Sequence, residues 1–161
     1  MEAASKKRER GTAKAKPQAR EQREAAGRVW NLMYDLFMAN RPAFMAVCRE
    51  FDLYPPQVMA IRHLEEPKSM REIADMLACD SSNVTGITDR LEERGLVKRT
   101  AAEHDRRVKL LVLTPEGERL RREMTARLQT PPEAVAELPL LDLLTVEDIL
   151  GNARAAQEAS E

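Results

Sequence analysis

The sequence predicts a mainly α-helical fold with one small β-hairpin, in the order of a winged helix-turn-helix. Three observations predict it. Apolar residues recur at helical spacing over most of the chain. Two short helices, predicted over 70–78 and 81–94, are separated by a very short turn. Directly after them, two apolar strands predicted over 96–100 and 108–114 enclose the charged loop 101–107.

The composition limits the class of protein. Of the 161 residues, 43% are hydrophobic and 33% are charged, as is typical of a helix-rich globular chain. No apolar run approaches the ~20 residues that a membrane-spanning helix needs, and the basic start lacks the apolar stretch of a secretory signal. Two cysteines, Cys48 and Cys79, are too few for a disulfide framework. These features predict a cytoplasmic protein.

Charge is distributed unevenly along the chain. The net charge is −1, but residues 1–20 hold seven Lys/Arg against two Glu, whereas residues 129–161 hold one Arg against seven acids. The first segment is polar and lacks hydrophobic periodicity, which predicts a disordered basic arm over 1–20. Because the acidic tail masks this arm in the total, a near-neutral charge does not exclude a nucleic-acid partner.

Helical periodicity predicts further helices on both sides of the central motif. Residues 21–52 carry one apolar stripe and then a second helix over 42–51; the stripe consists of Ala26, Val29, Trp30, Met33 and Phe37. Residues 116–161 carry a row of leucines and a last helix predicted over 145–158. One small winged helix cannot bury both apolar surfaces, so both regions are predicted to be dimerisation helices.

Helix-start signals define the central helix pair. Ser69 and Glu72 have capping-box spacing, which starts the first helix. A cap at Asp80 or Ser81 starts the second helix, and Gly95 ends it. An ordinary helical hairpin would show the same spacing, but the hairpin that follows favours a winged helix-turn-helix.

The second helix of this pair carries small polar residues on its outward face. The outward and flanking positions are Ser82, Asn83, Thr85, Gly86, Asp89 and Arg90. Small residues let a helix enter the major groove deeply, which would explain a mid-helix glycine that costs about 1 kcal/mol relative to alanine. We predict that Ser82, Thr85 and Gly86 approach base edges. Asn83 and Arg90 are predicted to lie nearer the phosphates.

The charged loop of the hairpin is predicted to be the wing. Arg107 suits a narrow minor groove, where the potential is most negative, and Arg106 is predicted to contact the DNA backbone. Asp105, two residues before Arg107, is interpreted as its orienting partner. A solvated charged turn is the alternative for this loop taken alone.

Residues 53–117 resemble the multiple-antibiotic-resistance regulator (MarR) family. The matching stretches are Leu53-Tyr54-Pro55-Pro56-Gln57, Ser69-Met70-Arg71-Glu72-Ile73-Ala74, Ser82-Asn83-Val84-Thr85-Gly86-Ile87-Thr88-Asp89-Arg90-Leu91-Glu92, Gly95-Leu96-Val97, Asp105-Arg106-Arg107 and Leu113-Thr114-Pro115-Glu116-Gly117. The resemblance weakens over 118–161 and is absent in 1–20.

The resemblance implies a transcriptional regulator with a DNA-binding region over 53–115 between dimerisation helices. It implies a homodimer that binds double-stranded DNA at a palindromic operator, commonly as a repressor released by a small aromatic or anionic ligand. The ligand pocket is expected between the first helix and the helix near 56–64, where Trp30, Tyr34 and His63 are candidate lining residues. No cofactor is implied.

Enzymes and metal sensors fit the sequence poorly. There is no phosphate-binding glycine loop and no nucleophile elbow, so no catalytic residues are predicted. Cys48, His63, Cys79 and His104 lack the clustered spacing of metal ligands, so no metal is predicted.

Two other regulatory or structural classes remain open. A redox-responsive regulator could use Cys48, which lies near Arg41 and Arg49 in sequence, since adjacent cations favour a thiolate. A non-regulatory architectural DNA binder would share the same winged helix but would not give a defined operator footprint.

Overall fold

The helices and strands follow the predicted order. A computed structural model describes residues 2–102, 105 and 107–160, with side chains from residue 18 onward except that of Ser81. In chain order the elements are α1 (Glu2–Ala39), α2 (Arg41–Glu50), α3 (Pro55–His63), β1 (Lys68–Ser69), α4 (Met70–Leu77), α5 (Ser81–Glu93), β2 (Val97–Ala101), β3 (Lys109–Leu113), α6 (Pro115–Leu128), α7 (Glu133–Ala136) and α8 (Leu140–Glu158). Two compact units divide the chain, Met1–Met45 and Ala46–Glu161. The predicted mainly helical winged fold is confirmed.

The hairpin belongs to a three-stranded antiparallel sheet in the order β1-β3-β2. Strands β2 and β3 pair from Val97 opposite Leu113 to Ala101 opposite Lys109. Strand β1, which was not predicted from the sequence, pairs with Leu110 and Leu111 of β3. Two residues are too few to show an alternating pattern, so this strand becomes apparent only once β3 lies beside it.

The hydrophobic core of the second unit joins its helices to its sheet. Fully buried side chains come from α3, α4, α5, β3 and α6, and they include Ile61, Ile73, Leu91, Leu111 and Met124. Because each of these elements contributes an apolar face to one cluster, the helix pair and the hairpin are fixed by the same core.

The structure gives the backbone from Glu2 as helical and continuous with α1, and the disordered basic arm over 1–20 stays a prediction from the sequence. Low hydrophobicity rules out a packed core for this segment, but it does not rule out a helix supported by local propensity. The segment consists largely of Ala, Lys, Arg and Glu, which are among the strongest helix formers.

The last helix begins five residues earlier than predicted, at Leu140 rather than Thr145. The Thr145 hydroxyl donates to the Leu141 carbonyl at 2.8 Å, so it bonds back along the helix instead of capping a new one. Pro139 precedes the first residue of α8. The short helix α7 was not predicted.

The predicted capping box at the start of α4 is present. Ser69 Oγ accepts a hydrogen bond from the Glu72 amide at 3.2 Å, and Glu72 Oε2 accepts from the Ser69 amide at 2.7 Å and from its hydroxyl at 2.6 Å. The hydrogen bonds from the Ser69 hydroxyl and amide lower the pKa of the Glu72 carboxyl. This cap fixes where the helix pair begins.

Replacing Ser69 by alanine should lower the free energy of unfolding by about 1 kcal/mol near neutral pH, the usual effect of losing an N-cap. Since the pKa of Glu72 is lower in the folded state, its ionisation stabilises the fold above its unfolded pKa, and this contribution is lost as the pH falls toward the folded pKa. The difference between Ser69→Ala and wild type should therefore shrink in acid. Urea unfolding from about pH 7 to below about pH 4 measures it.

A Ser69→Thr variant keeps the hydroxyl and is the matched control for this cap. It should stay close to wild type at every pH. If the loss of unfolding free energy in Ser69→Ala did not change with pH, the Glu72 carboxylate would play no part in the stability of this cap.

Candidate nucleic-acid interface

A tight left-handed corner joins the two helices of the motif. Helix α4 ends at Leu77 and is followed by the C-cap residue Ala78, whose φ of 47° and ψ of 46° lie in the left-handed region. The Cys79 amide donates to the Ala74 carbonyl at 3.1 Å, and Asp80 occupies the N-cap position of α5. Buried Ala74 and Val84 lie on the inner faces of the two helices. The corner therefore turns the opposite face of α5 away from the core.

The exposed face of α5 carries the small polar residues that the sequence predicted there. Ser82, Asn83, Thr85 and Gly86 are exposed, whereas Val84 and Leu91 on the opposite face are fully buried. A Cβ atom added at Gly86 would meet no atom within 4 Å. The space above Gly86 is open to a partner, and DNA contact by these four residues remains a prediction.

Asp89, which was predicted on the outward face of α5, is half-exposed there and pairs with Arg99 of strand β2. The Arg99 guanidinium of β2 donates to Asp89 Oδ1 at 2.5 Å, to Glu92 Oε2 at 2.5 Å and to the buried Thr88 hydroxyl at 2.6 Å. Glu92 also accepts from the Arg99 amide at 3.2 Å. Arg99 therefore ties α5 to the second strand. Sequence spacing gave no signal for this network, because a positively charged residue on a strand is usually interpreted as a solvated side chain.

The wing tip is held by Asp105 through backbone groups. Asp105 Oδ1 accepts from the Arg107 amide at 2.9 Å, and the Asp105 carbonyl accepts from the Val108 amide at 2.9 Å. This is an Asx-type turn. Asp105 was interpreted from the sequence as an orienting partner of Arg107, and the recorded contact is to the Arg107 amide. Arg107 is exposed, and the prediction for Arg106 lies outside the described residues.

Two arginines at the other end of α5 contact the region around α3. The Arg90 guanidinium carbon lies 5.7 Å from the centroid of the Tyr54 ring. The Arg94 guanidinium donates to the Phe51 carbonyl at 3.1 Å and to the Asp52 carbonyl. Arg90 is exposed, as expected for a phosphate contact, whereas Arg94 is used to hold the chain that precedes α3.

The Cys48 thiol is poorly placed for redox sensing. Cys48 is buried, and burial raises its pKa despite the opposing effects of a backbone hydrogen bond and of Arg49. A buried thiol with a raised pKa forms little thiolate, the reactive species. Cys79 is half-buried and lines a shallow open cleft at the corner, together with Asp75 and Asn83. The redox alternative through Cys48 therefore loses its chemical basis.

The candidate pocket residues are divided between the two units. Trp30 and Tyr34 are 66% and 57% exposed on α1, and His63 is exposed at the end of α3. The pKa of His63 is lowered, first by partial burial and then by the neighbouring Arg62. A shared ligand pocket remains a prediction.

Other kinds of site receive no support from the part of the chain that the structure describes. Within residues 2–102, 105 and 107–160, no three His, Cys, Asp or Glu side chains are grouped so that they could hold a metal ion. None of the described helices is long and apolar enough to cross a membrane.

The helix pair followed at once by a hairpin defines a winged helix-turn-helix protein. Residues 53–109 match the model of the MarR family. The predicted resemblance to the MarR family is confirmed over these residues.

Individual relatives agree with this match. The HTH-type transcriptional regulator PapX of Escherichia coli is 45% identical over 62 residues, which are 37% of this chain and 38% of that protein, so the match spans less than half of PapX. A solved MarR family protein from Bacillus stearothermophilus shares the fold, with a TM-score of 0.72 over 86% of this chain and 97% of that one, at 21% identity. CouR from Rhodococcus jostii RHA1, solved bound to p-coumaroyl-CoA, is 29% identical, with a TM-score of 0.60 over 74% of this chain and 86% of that one.

Proposed function

We propose that the chain is a sequence-specific, DNA-binding transcriptional regulator that acts in the bacterial cytoplasm as a homodimeric repressor. The observation that carries the proposal is the open face of α5, where exposed Ser82, Asn83, Thr85 and Gly86 stand beside a hairpin wing. A major groove about 12 Å wide admits one α-helix. Small side chains on the facing surface allow the helix backbone to approach the bases closely.

The position of each residue on α5 or on the wing determines which part of the DNA it is proposed to contact. Ser82, Thr85 and Gly86 approach base edges. Asn83, near the start of α5, contacts the phosphate backbone of the DNA. Arg107, exposed at the wing tip, enters the minor groove. Base contacts set the sequence preference, whereas phosphate contacts set the affinity and its salt dependence.

The proposed homodimer is supported by exposed apolar side chains on two helices. On α1, Trp30 and Phe37 are 66% and 72% exposed, and on α8, Leu140 and Leu141 are 71% and 74% exposed. Exposed apolar area on this scale marks an association surface. A homodimer buries both helices and presents two winged helices to half-sites about 34–36 Å apart.

Ligand control is proposed from the relatives. CouR was solved with p-coumaroyl-CoA, an aromatic and anionic compound, and this chain carries Trp30, Tyr34 and His63 as candidates for a similar role. Operator binding is expected to weaken when a ligand of this class binds. Footprinting of the DNA next to the gene, with and without such ligands, tests this part of the proposal.

Gly86→Ala separates DNA binding from stability, and it tests the proposed face of α5. Because nothing lies within 4 Å of the added Cβ and alanine favours a helix, the free energy of unfolding should rise by about 1 kcal/mol. Operator affinity should nevertheless fall, since the methyl group enters the space proposed for the groove. Urea unfolding and titration of a duplex selected by the wild-type protein from a random library measure the two effects.

The control for Gly86→Ala is Gly27→Ala, another helical glycine with open space around its added Cβ. This variant should leave DNA affinity unchanged. An operator affinity that survives Gly86→Ala intact, or a wild-type protein that selects no duplex, would contradict the proposed interface.

Variants of the wing test its role separately. Arg107→Ala should weaken operator binding roughly tenfold, within the range of a groove contact. Asp105→Ala should also weaken it, because the loss of the bond to the Arg107 amide frees the wing tip. Simple electrostatics predicts the opposite sign, since a negative charge near DNA is removed. Tighter operator binding by Asp105→Ala in a fluorescence titration would therefore refute this role.

A further inference from the structure

A cation–π contact joins α5 to the start of α3. The Arg90 guanidinium carbon lies 5.7 Å from the centroid of the Tyr54 ring, within the roughly 6 Å at which such contacts are significant. Tyr54 is 64% exposed and Arg90 is exposed as well. The pair therefore lies at the surface and is accessible to a partner.

The backbone at the start of α3 offers little to an anion, so side chains must supply any anion site there. Pro55 and Pro56 have no amide hydrogen. The Tyr54 amide donates to Gln57 Oε1 at 2.9 Å, and the Gln57 amide donates to the Tyr54 carbonyl at 2.9 Å. The first amides of the helix are thus absent or already used.

Arg90 keeps its positive charge available, unlike Arg99. Within the described side chains, no carboxylate lies at ion-pair distance from Arg90, whereas Arg99 contacts both Asp89 and Glu92. Arg90 also follows Asn83 by seven residues and Gly86 by four, which places all three on one face of α5. A free cation thus lies at the edge of the proposed groove-facing surface.

We propose that Tyr54 is a positioning residue for a phosphate of the DNA backbone: its ring holds the Arg90 guanidinium, whose N–H edges bind that phosphate. This inference rests on the proposed DNA-binding function and names a contact within it. A ring stacked on the face of a guanidinium leaves the N–H fork free for bidentate hydrogen bonds to phosphate oxygens. An ordered guanidinium also loses less conformational freedom on binding than a mobile one.

The test measures the affinity of full-length variants for a duplex selected by the wild-type protein, over a range of salt concentrations. Arg90→Ala should flatten the slope of log K against log salt by about 0.9, the value for one phosphate contact. Tyr54→Leu should weaken binding about two- to fivefold, the range of an exposed cation–π contact, and should flatten the slope in the same direction. Tyr54→Phe keeps the ring and should behave as wild type. The double variant Tyr54→Leu/Arg90→Ala should bind no more weakly than Arg90→Ala alone.

A change in folding would not produce this pattern. The Tyr54 side chain takes no part in the bond between its own amide and Gln57, so thermal unfolding of Tyr54→Leu should match wild type. A wild-type slope in Tyr54→Leu, or additive losses in the double variant, would overturn the positioning role while leaving DNA binding intact. A wild-type protein that selects no duplex would instead overturn the proposed function and this inference with it.

Discussion

Replacing Gly117 by alanine is expected to lower the free energy of unfolding by about 3 kcal/mol or more. Gly117 is buried in the first turn of α6, and an added Cβ would overlap the carbonyl oxygen of Leu96, with the Leu96 carbonyl carbon at 3.0 Å and Leu113 Cδ2 at 3.1 Å. Backbone atoms cannot rotate away as a side chain can, so the helix and the strand must separate. Overpacking commonly costs about 1–3 kcal/mol even where side chains can adjust.

The same change should impair the wing. The Leu96 carbonyl accepts from the Thr114 amide at 3.0 Å, so the start of α6 and the entry to β2 are held together at this point. Urea unfolding measures the stability, and Gly86→Ala is the matched control because it adds the same methyl group in open space. A Gly117→Ala variant within about 1 kcal/mol of wild type would show that α6 can shift without cost to the core.

Replacing Arg99 by methionine should lower the free energy of unfolding by about 2 kcal/mol and weaken operator binding more than tenfold. The change removes hydrogen bonds to Thr88, Asp89 and Glu92 but keeps an aliphatic side chain. A hydrogen bond to a charged group contributes about 1.5–3 kcal/mol. This value is discounted here, because the carboxylates are 48% and 40% exposed. Binding suffers further because Asp89 loses its compensating cation beside the proposed DNA-facing surface.

Lys98→Met is the control for Arg99, since Lys98 is the exposed neighbour on the same strand. Its stability should stay within about 0.5 kcal/mol of wild type. If Lys98→Met lost as much stability and operator affinity as Arg99→Met, the positive charge of the strand in general, and not the hydrogen bonds of Arg99 to α5, would be responsible for both effects.

Local signals in the sequence predicted the parts of the fold that depend on neighbouring residues. The Ser69–Glu72 box marks the start of α4, and Thr114 caps α6 by accepting from the Gly117 amide at 3.0 Å. These contacts span three residues, so spacing alone reveals them. The exposed face of α5 was predictable for the same reason, because helical periodicity separates Val84 from Gly86.

Contacts between distant residues could not be predicted in this way. Arg99 meets Asp89 only after the chain has turned from α5 into β2, and Tyr54 meets Arg90 across 36 positions. No periodic pattern encodes such pairs, since they depend on how whole elements pack. Thr145 was misleading for a different reason. A threonine followed by acids resembles a cap, but the Thr145 hydroxyl bonds back to the Leu141 carbonyl within α8, which has already begun after Pro139.

The left-handed alanine at the corner of the motif has an evolutionary consequence. Ala78 adopts φ 47°, a conformation that disfavours residues with a Cβ by roughly 1–2 kcal/mol, so the surrounding core must hold the corner in place. Glycine or asparagine would adopt the same shape more readily. Because Ala78 is on the corner and not on the open face of α5, stability can change there by substitution while the surface proposed to read DNA stays the same. Substitutions at this corner can therefore change the thermal stability of related proteins while the DNA sequence that they bind stays the same.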